Sequence, residues 1–206
     1  MKDSRGNVLF PVFIKLEELK LLIVGGGNIG LEKLEAVLNN SPYTDITLVG
    51  IKISEAIVQL AEQHSNLQLI GRAFEESDLD DKDMVILATN DNDLNASIVR
   101  LTRQRHLMTN VADKPDLCDF YLGSIVKKGD LKIAISTNGK SPTIAKRIKE
   151  DLNHAFPESI DTLLSRMNEI RSSIAGDFQK KVNTLNDVTK RWIADTKARQ
   201  VSETNR

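Results

Sequence analysis

Residues 20–30 read Lys-Leu-Leu-Ile-Val-Gly-Gly-Gly-Asn-Ile-Gly, an apolar run that enters a glycine-rich turn. The apolar run predicts a buried parallel strand, and the pattern after the turn predicts a helix. Gly25-x-Gly27-x-x-Gly30 between them is typical of a dinucleotide-binding turn. Gly25 permits the tight turn, Gly27 lets a pyrophosphate approach the backbone, and Gly30 lets the helix pack closely on the strand. The helix N-terminus then offers unpaired N–H groups to phosphates.

Further apolar segments alternate with helical patterns through the first half of the chain. Such alternation predicts a doubly wound parallel sheet, an α/β fold of the Rossmann type. The predicted strands are Lys20–Val24, Ile46–Val49, Leu67–Ile70, Met84–Ala88 and Leu107–Val111. The predicted helices are Leu31–Leu38, Ser54–His64 and Asn92–Arg105. Residues Phe10–Leu16 are interpreted as a short strand or a lead-in.

The second half of the chain follows a different pattern. Two apolar segments joined by Lys127-Lys128-Gly129-Asp130 predict an antiparallel hairpin. Ser141 and Pro142 predict the start of a helix, with a serine cap and proline in the first turn. The hairpin strands are Phe120–Val126 and Leu131–Ser136, the helix ends near Ala155, Glu158 to about Lys197 is helical, and Arg199–Arg206 is a polar tail. We expect a nucleotide-binding domain at 1–113, a small α+β segment at 114–150 and a helical region at 151–206.

The composition is that of an ordinary globular protein, with 206 residues of which 40% are hydrophobic and 28% charged. The formal net charge of −1 argues against a general nucleic-acid binder, and no apolar run is long enough to span a bilayer. The single cysteine, Cys118, and the lack of an apolar N-terminal segment favour the cytoplasm. His64, His106 and His154 lack metal-ligand spacing, so we predict no metal site.

Polar residues follow three of the predicted strands, at the edge where such sheets bind ligands. The second strand ends in Val49-Gly50 without the usual acid for the ribose hydroxyls, and Lys52 is the nearest charge. Thr89-Asn90-Asp91 follows the fourth strand and is either a helix cap alone or also a cofactor contact. Asn110 and Asp113 end the fifth strand, where a carboxylate is either a turn residue or faces a substrate.

The segment 114–149 is basic, with eight lysine or arginine residues against three aspartates. It is either a solvated surface or a site for a polyanionic ligand. Within it, Ser136-Thr137-Asn138-Gly139-Lys140-Ser141-Pro142 is a glycine-bearing turn that leads into a helix N-terminus, a second candidate anion site.

Taken together, these motifs resemble the precorrin-2 dehydrogenase and sirohydrochlorin ferrochelatase family of siroheme biosynthesis. The resemblance covers about residues 8 to 155 in order. It rests on Phe10-Pro11-Val12-Phe13, Leu22 to Gly30, Lys33, Ala88-Thr89-Asn90-Asp91, Asn110 to Asp113, Phe120 and Ile135 to Pro142. Two positions depart from the family pattern. Gly30 replaces the usual alanine, which we take as a mild change, and Ser136-Thr137 replaces a serine pair.

The resemblance implies an NAD-dependent oxidation of the tetrapyrrole precorrin-2 to sirohydrochlorin by a homodimer, with the dimerisation segment at 114–150. Some members also insert Fe²⁺, and whether this chain does so stays open. The family's key carboxylate falls on Asp113, the predicted catalytic residue. The predicted cofactor residues are Gly25, Gly27, Asn28, Ile29, Gly30, Val49, Gly50, Thr89, Asn90 and Asp91. The predicted substrate residues are Asn110, Lys114, Lys128, Lys132, Ser136, Thr137 and Lys140.

Two other functions fit part of the sequence. The stretch Asp83 to Asn95 also resembles nucleotide-sensing regulatory domains of potassium channels and transporters. Those domains usually keep the acid after the second strand, where this chain has Gly50, and they lack the turn at 136–142. An unrelated Rossmann reductase is the third candidate, because fold analogy alone does not separate the three.

Overall fold

The computed structural model describes residues 6–157, 159–174, 178–187 and 189–190. The chain divides into two compact units, Met1–Leu122 and Gly123–Arg206. None of the helices described is long and apolar enough to cross a membrane.

The first unit is built on a five-stranded parallel sheet in the order β3-β2-β1-β4-β5. Its strands are β1 (Lys20–Gly26), β2 (Asp45–Ile53), β3 (Leu67–Ile70), β4 (Met84–Leu87) and β5 (Met108–Val111). The chain winds outward from β1 to β3 and then returns to place β4 on the other side of β1. The crevice between the carboxyl ends of β1 and β4 is therefore the switch point at which such sheets bind ligands.

Three helices cover the two faces of this sheet: α1 (Asn28–Asn40), α2 (Glu55–Gln63) and α3 (Asn92–Gln104). Alternate residues of β1 enter two separate hydrophobic clusters. Leu21 and Ile23 pack with α1 and α2, whereas Leu22 and Val24 pack with α3. A strand buried on both faces must be apolar throughout, as the first apolar run is. The predicted doubly wound α/β fold is confirmed.

The observed elements differ from the predicted ones mainly at β2 and α1. β2 continues to Ile53 because the backbone of Gly26 pairs with Ile53, although Ile51 and Lys52 are exposed and break the apolar pattern. α1 begins at Asn28, three residues before the apolar periodicity starts. Residues 6–15 have no regular secondary structure and a 3-10 turn follows at Leu16–Glu18, so this segment is a lead-in.

The second unit contains an antiparallel hairpin and two helices. The hairpin strands are β6 (Ser124–Lys128) and β7 (Leu131–Ile135), and α4 (Pro142–Ala155) and α5 (Ile160–Ser173) follow. The first strand starts at Ser124 instead of Phe120, and Lys127 and Lys128 belong to it, so Gly129-Asp130 alone forms the turn. Gly129 takes a positive φ of 55° there. Residues 178–187 and 189–190 are also helical. The predicted continuous helix from Glu158 is wrong at Ile174, where α5 ends in an extended conformation. Residues 158, 175–177, 188 and 191–206, which include the predicted polar tail, lie outside the described residues.

Candidate active site

The glycine turn joins β1 directly to α1. Gly27 is the N-cap of α1, and no side chain of the described residues forms a capping hydrogen bond there. A Cβ built on Gly27 would meet nothing within 4 Å, so the space in front of this backbone is open. The N-terminal N–H groups of α1 carry a partial positive charge. The turn therefore offers room and polarity for a pyrophosphate group.

Gly25 and Gly30 hold this turn closed, and neither leaves space for a side chain. Gly25 has a φ of 118°, and a Cβ on it would collide with the Ala88 carbonyl oxygen. A Cβ on Gly30 would collide with the carbonyl oxygen of Gly25. The expectation that glycine in place of the family's alanine is a mild change at position 30 is therefore wrong for this chain. Its helix lies too close to the strand for the methyl group of an alanine.

The backbone at the end of β2 packs directly against the backbone of the glycine turn. A Cβ on Gly26 would come within 2.5 Å of the Lys52 carbonyl oxygen, and a Cβ on Gly50 within 2.8 Å of the Gly26 nitrogen. Val49 is fully buried in the core below them. Ser54 donates its backbone N–H to the Gly26 carbonyl oxygen at 2.9 Å, and its buried Oγ has no hydrogen-bond partner among the described residues. An unpaired hydroxyl beside an open glycine turn fits a polar ligand such as a dinucleotide.

The turn after β4 is ordered by side-chain hydrogen bonds. Asp91 Oδ1 accepts the N–H groups of Asp93 and Leu94 at 3.0 and 2.9 Å, so Asp91 caps α3. Thr89 Oγ1 donates to Asn95 Oδ1 at 2.7 Å. Asn90, between Thr89 and Asp91, is exposed.

The loop after β5 carries Asp113 in the left-handed region, with a φ of 58° and an exposed side chain. Aspartate tolerates this conformation better than most residues do. Cys118 supports the loop: its Sγ accepts the Val111 N–H at 3.2 Å and lies 3.3 Å from the Lys114 carbonyl oxygen. Burial raises the pKa of the Cys118 thiol. The buried Asn110 donates its amide to the Phe120 carbonyl oxygen at 2.8 Å, so the structure gives this predicted substrate residue a partner inside the protein.

The N-terminus of α1, the turn after β4 and the loop after β5 meet in an open cleft of about 120 Å³ at the switch point. It brings together five of the predicted site residues: Ile29, Thr89, Asn90, Asp113 and Lys114. Three lining residues were not predicted: Asn92, Asn95 and Ala112. Asn95 could have been found from the sequence, because helical spacing places this amide on the same inward face of the third helix as Ile98 and Val99.

Eight other predicted residues lie in the first unit but do not line this cleft: Gly25, Gly27, Asn28, Gly30, Val49, Gly50, Asp91 and Asn110. The last five predicted residues lie in the second unit. Thr137 Oγ1 donates to the Ser141 carbonyl oxygen at 3.2 Å, and Ser136 Oγ accepts the Asn138 N–H at 3.2 Å. Ser141 caps α4 by accepting the Ile144 N–H, as predicted from its position before Pro142. The exposed Lys140 follows this turn. Lys128 and Lys132 are both half-buried on the hairpin.

No group of three or more histidine, cysteine or acidic side chains among the described residues could hold a metal ion.

Two family profiles match the chain one after the other. The profile described as "Putative NAD(P)-binding" matches residues 12–124, more than half of the chain. The profile described as "Sirohaem biosynthesis protein central" matches residues 128–155.

Relatives and a solved structure agree with these matches. Siroheme synthase of Methylococcus capsulatus is 31% identical over 80% of this chain and 34% of its own length. Siroheme synthase of Psychrobacter cryohalolentis is 34% identical over 89% of this chain and 34% of its own length. The chain thus spans about a third of the curated relatives it matches. The structure of SirC, precorrin-2 dehydrogenase, has a TM-score of 0.69 at 25% identity, covering 87% of this chain and 89% of that one.

The resemblance found in the sequence is confirmed by these comparisons, which do not favour a nucleotide-sensing module of potassium transport. The two consecutive profiles and the relatives show that the chain belongs to the NAD(P)-binding family of siroheme biosynthesis.

Proposed function

We propose that this chain is an oxidoreductase that oxidises precorrin-2 to sirohydrochlorin with NAD. The observation that carries the proposal is the cleft at the switch point, where a residue of the glycine turn, Ile29, and the carboxylate of Asp113 line the same space. The likeness to the precorrin-2 dehydrogenase structure supports the choice of substrate, since it extends over 89% of that chain.

The glycine turn is the part that would hold the cofactor. The open face of Gly27 and the N–H groups of α1 suit the pyrophosphate, and the unpaired Ser54 hydroxyl suits a polar group of the nucleotide. NAD, when bound, supplies the acceptor for the hydride that leaves precorrin-2. The resemblance to the family favours NAD over NADP, and dissociation constants for both test this.

Asp113 would take the proton that leaves with the hydride. The oxidation removes two hydrogens from precorrin-2, so one hydride goes to NAD and one proton must go to a base. Asp113 is an exposed carboxylate in the cleft, on a loop that Cys118 ties to β5. Lys114 lines the same cleft and would bind a substrate carboxylate. A base at this position fits general acid–base catalysis.

The basic residues of the second unit would bind further carboxylates of the tetrapyrrole. Lys140 follows the turn at 136–139, and the N-terminus of α4 begins two residues later. Lys128 and Lys132 supply positive charge on the hairpin. The polyanionic substrate supports this assignment, because lysine clusters bind carboxylates through charge-assisted hydrogen bonds.

The active form is proposed to be a cytoplasmic homodimer formed through residues 120–149. Within the described residues, β6 and β7 pair only with each other. Ile144 and Ile148, one turn apart on α4, are 52% and 38% exposed. Open strand edges beside apolar side chains are typical of a surface that a second chain covers. Light scattering at micromolar concentration should give twice the mass of the chain, and a monomer would contradict this part of the proposal.

The test is turnover of precorrin-2 by the purified chain. With NAD present, NADH should appear together with sirohydrochlorin, identified by a mass lower by two hydrogens. A nucleotide-sensing module would bind NAD without turnover, and an unrelated reductase would leave precorrin-2 unchanged. A separate assay with sirohydrochlorin and Fe²⁺ as substrates, which identifies the product by the mass gained when Fe²⁺ replaces two protons, tests whether the chain also inserts iron.

A further inference from the structure

Asn95 is a polar residue at a buried position on the core-facing side of α3. It lies on α3 with Ile98, Val99 and Thr102, spaced so that all four face inward, and it is 3% exposed. Burying a carboxamide that makes no hydrogen bonds lowers the stability of the fold. The hydrogen-bond partners of Asn95 therefore indicate its role.

Both hydrogen bonds of the Asn95 side chain go to one residue. Its Oδ1 accepts the hydroxyl of Thr89 at 2.7 Å, and its Nδ2 donates to the Thr89 carbonyl oxygen at 3.0 Å. Thr89 Oγ1 also accepts the Asp91 N–H at 3.3 Å. One buried amide thus fixes the side chain and the peptide group of the first residue in the turn after β4.

We propose that Asn95 is a positioning residue that sets the turn Thr89–Asp91 for binding of the cofactor. This inference rests on the proposed function. Thr89, Asn90 and Asn95 line the same cleft as Asp113. A reciprocal pair of hydrogen bonds holds the rotamer and the peptide plane of Thr89 before the ligand arrives, so less ordering is needed on binding. Without Asn95, the helix can still pack, but the turn loses its fixed geometry.

The test compares two variants of α3 that lose similar buried hydrogen bonds at opposite ends. Asn95→Leu removes both bonds to Thr89. Thr102→Val removes the buried hydroxyl that donates to the Val99 carbonyl oxygen at 3.1 Å and pairs with Thr109 at 2.7 Å, away from the cleft. Calorimetry should show the Kd of NAD raised by about tenfold in Asn95→Leu, since a buried hydrogen-bonded pair is lost. Thr102→Val should bind NAD like the wild type.

Steady-state kinetics and further variants separate an effect on cofactor binding from an effect on the chemical step. At saturating NAD, Asn95→Leu should keep most of its kcat while its KM for NAD rises. Asn95→Asp keeps the acceptor for the Thr89 hydroxyl but places a second oxygen against the Thr89 carbonyl oxygen, so it should also weaken NAD binding. In a Thr89→Val background the effect of Asn95→Leu should shrink, because part of it acts through that hydroxyl.

The measurements distinguish a failure of the proposed function from a failure of the role assigned to Asn95. A wild-type chain that does not bind NAD would overturn the proposed function and this inference with it. A wild-type chain that binds NAD while Asn95→Leu and Asn95→Asp bind as tightly would overturn the role of Asn95 alone. Strictly additive effects of Asn95→Leu and Thr89→Val would also contradict it.

Discussion

The glycine turn and the cleft beside it are built from different parts of the chain, and we call them the backbone wall and the side-chain wall of the site. Of the glycine turn, Ile29 lines the cleft itself. The glycine turn presents backbone: Gly27 leaves open space in front of the helix N-terminus, and Gly25 and Gly30 allow the close packing behind it. The opposite wall presents side chains, from Thr89 and Asn95 after β4 to Asp113 after β5. An added side chain on the backbone wall would block the ligand or disrupt the packing. On the side-chain wall, function would be lost when a single functional group is removed. The backbone wall should therefore govern cofactor binding. The side-chain wall should contribute to cofactor binding through Thr89 and Asn95 and should carry the chemical step through Asp113.

The largest effect is expected at the side-chain wall, for Asp113→Asn. Asparagine also adopts the left-handed conformation that position 113 requires, so the loop should keep its shape. NAD and precorrin-2 should still bind, while NADH formation should fall about 10²- to 10⁴-fold, the usual cost of losing a general base. Steady-state kinetics and calorimetry measure the two parts separately.

Asp116→Asn provides the control for Asp113→Asn, because it makes the same chemical change at another exposed aspartate of the same loop region. Its rate should match the wild type. Near wild-type turnover by Asp113→Asn would remove this residue from the mechanism.

A smaller, purely binding effect is expected at the backbone wall, for Gly27→Val. The protein has room for the new side chain, so the variant should fold, but the side chain would occupy the space proposed for the pyrophosphate. We expect NAD binding to weaken by about ten- to a hundredfold, because crowding costs about 1–3 kcal/mol and about 1.4 kcal/mol is a tenfold change in affinity. Gly71→Val, which also enters open space but outside the cleft, should bind NAD normally. Equal binding by both variants would contradict the assignment of the turn.

Gly30→Ala tests the packing behind the backbone wall, and its effect should be on stability. The methyl group would collide with the Gly25 carbonyl oxygen, and overpacking of this kind costs about 1–3 kcal/mol of unfolding free energy. Gly71→Ala, with nothing within 4 Å of the added Cβ, is the matched control. Urea unfolding that gives equal stabilities would mean that the helix moves away from the strand at little cost.

The smallest effect concerns a pair outside both walls. Arg72 donates to both carboxylate oxygens of Asp78 at 2.8 and 2.6 Å, and this hydrogen bonding lowers the pKa of Asp78 below 3.8. Because the folded pKa is the lower one, the stabilisation is complete above pH 3.8 and is lost as the pH falls through the folded pKa.

Asp78→Asn should therefore lower the unfolding free energy by about 2 kcal/mol at neutral pH, with a smaller difference in acid. Urea titrations at several pH values measure this. NAD affinity should stay unchanged, and a loss of affinity would show that the walls depend on this distant pair.

The backbone wall could be predicted from the sequence, and much of the side-chain wall could not. A turn that needs positive φ and close approach requires glycine, so Gly25-x-Gly27-x-x-Gly30 is visible in the sequence itself. The extension of β2 to Ile53 was missed because it depends on backbone pairing with Gly26, while Ile51 is 76% exposed.

The contacts of the side-chain wall could not be predicted from the sequence for a similar reason, since they depend on the fold. Helical spacing places Asn95 on the inner face of α3, but only the fold brings Thr89 within reach of its amide. Asn110 ends the fifth strand beside Asp113, yet a strand position does not reveal that its amide reaches the Phe120 carbonyl oxygen. Asp113 was predicted from its place at the sheet edge and from the family resemblance, and its role in catalysis stays a prediction.

Cofactor and tetrapyrrole should meet in this one cleft, and the transfer of an isotope from one to the other would show that they do. Precorrin-2 carrying deuterium at the carbons that are oxidised should be converted by the wild-type chain in the presence of NAD. One deuterium should appear in the nicotinamide ring of the NADH formed, and the other should reach the solvent by way of Asp113. NADH without deuterium, or sirohydrochlorin formed without NADH, would contradict it.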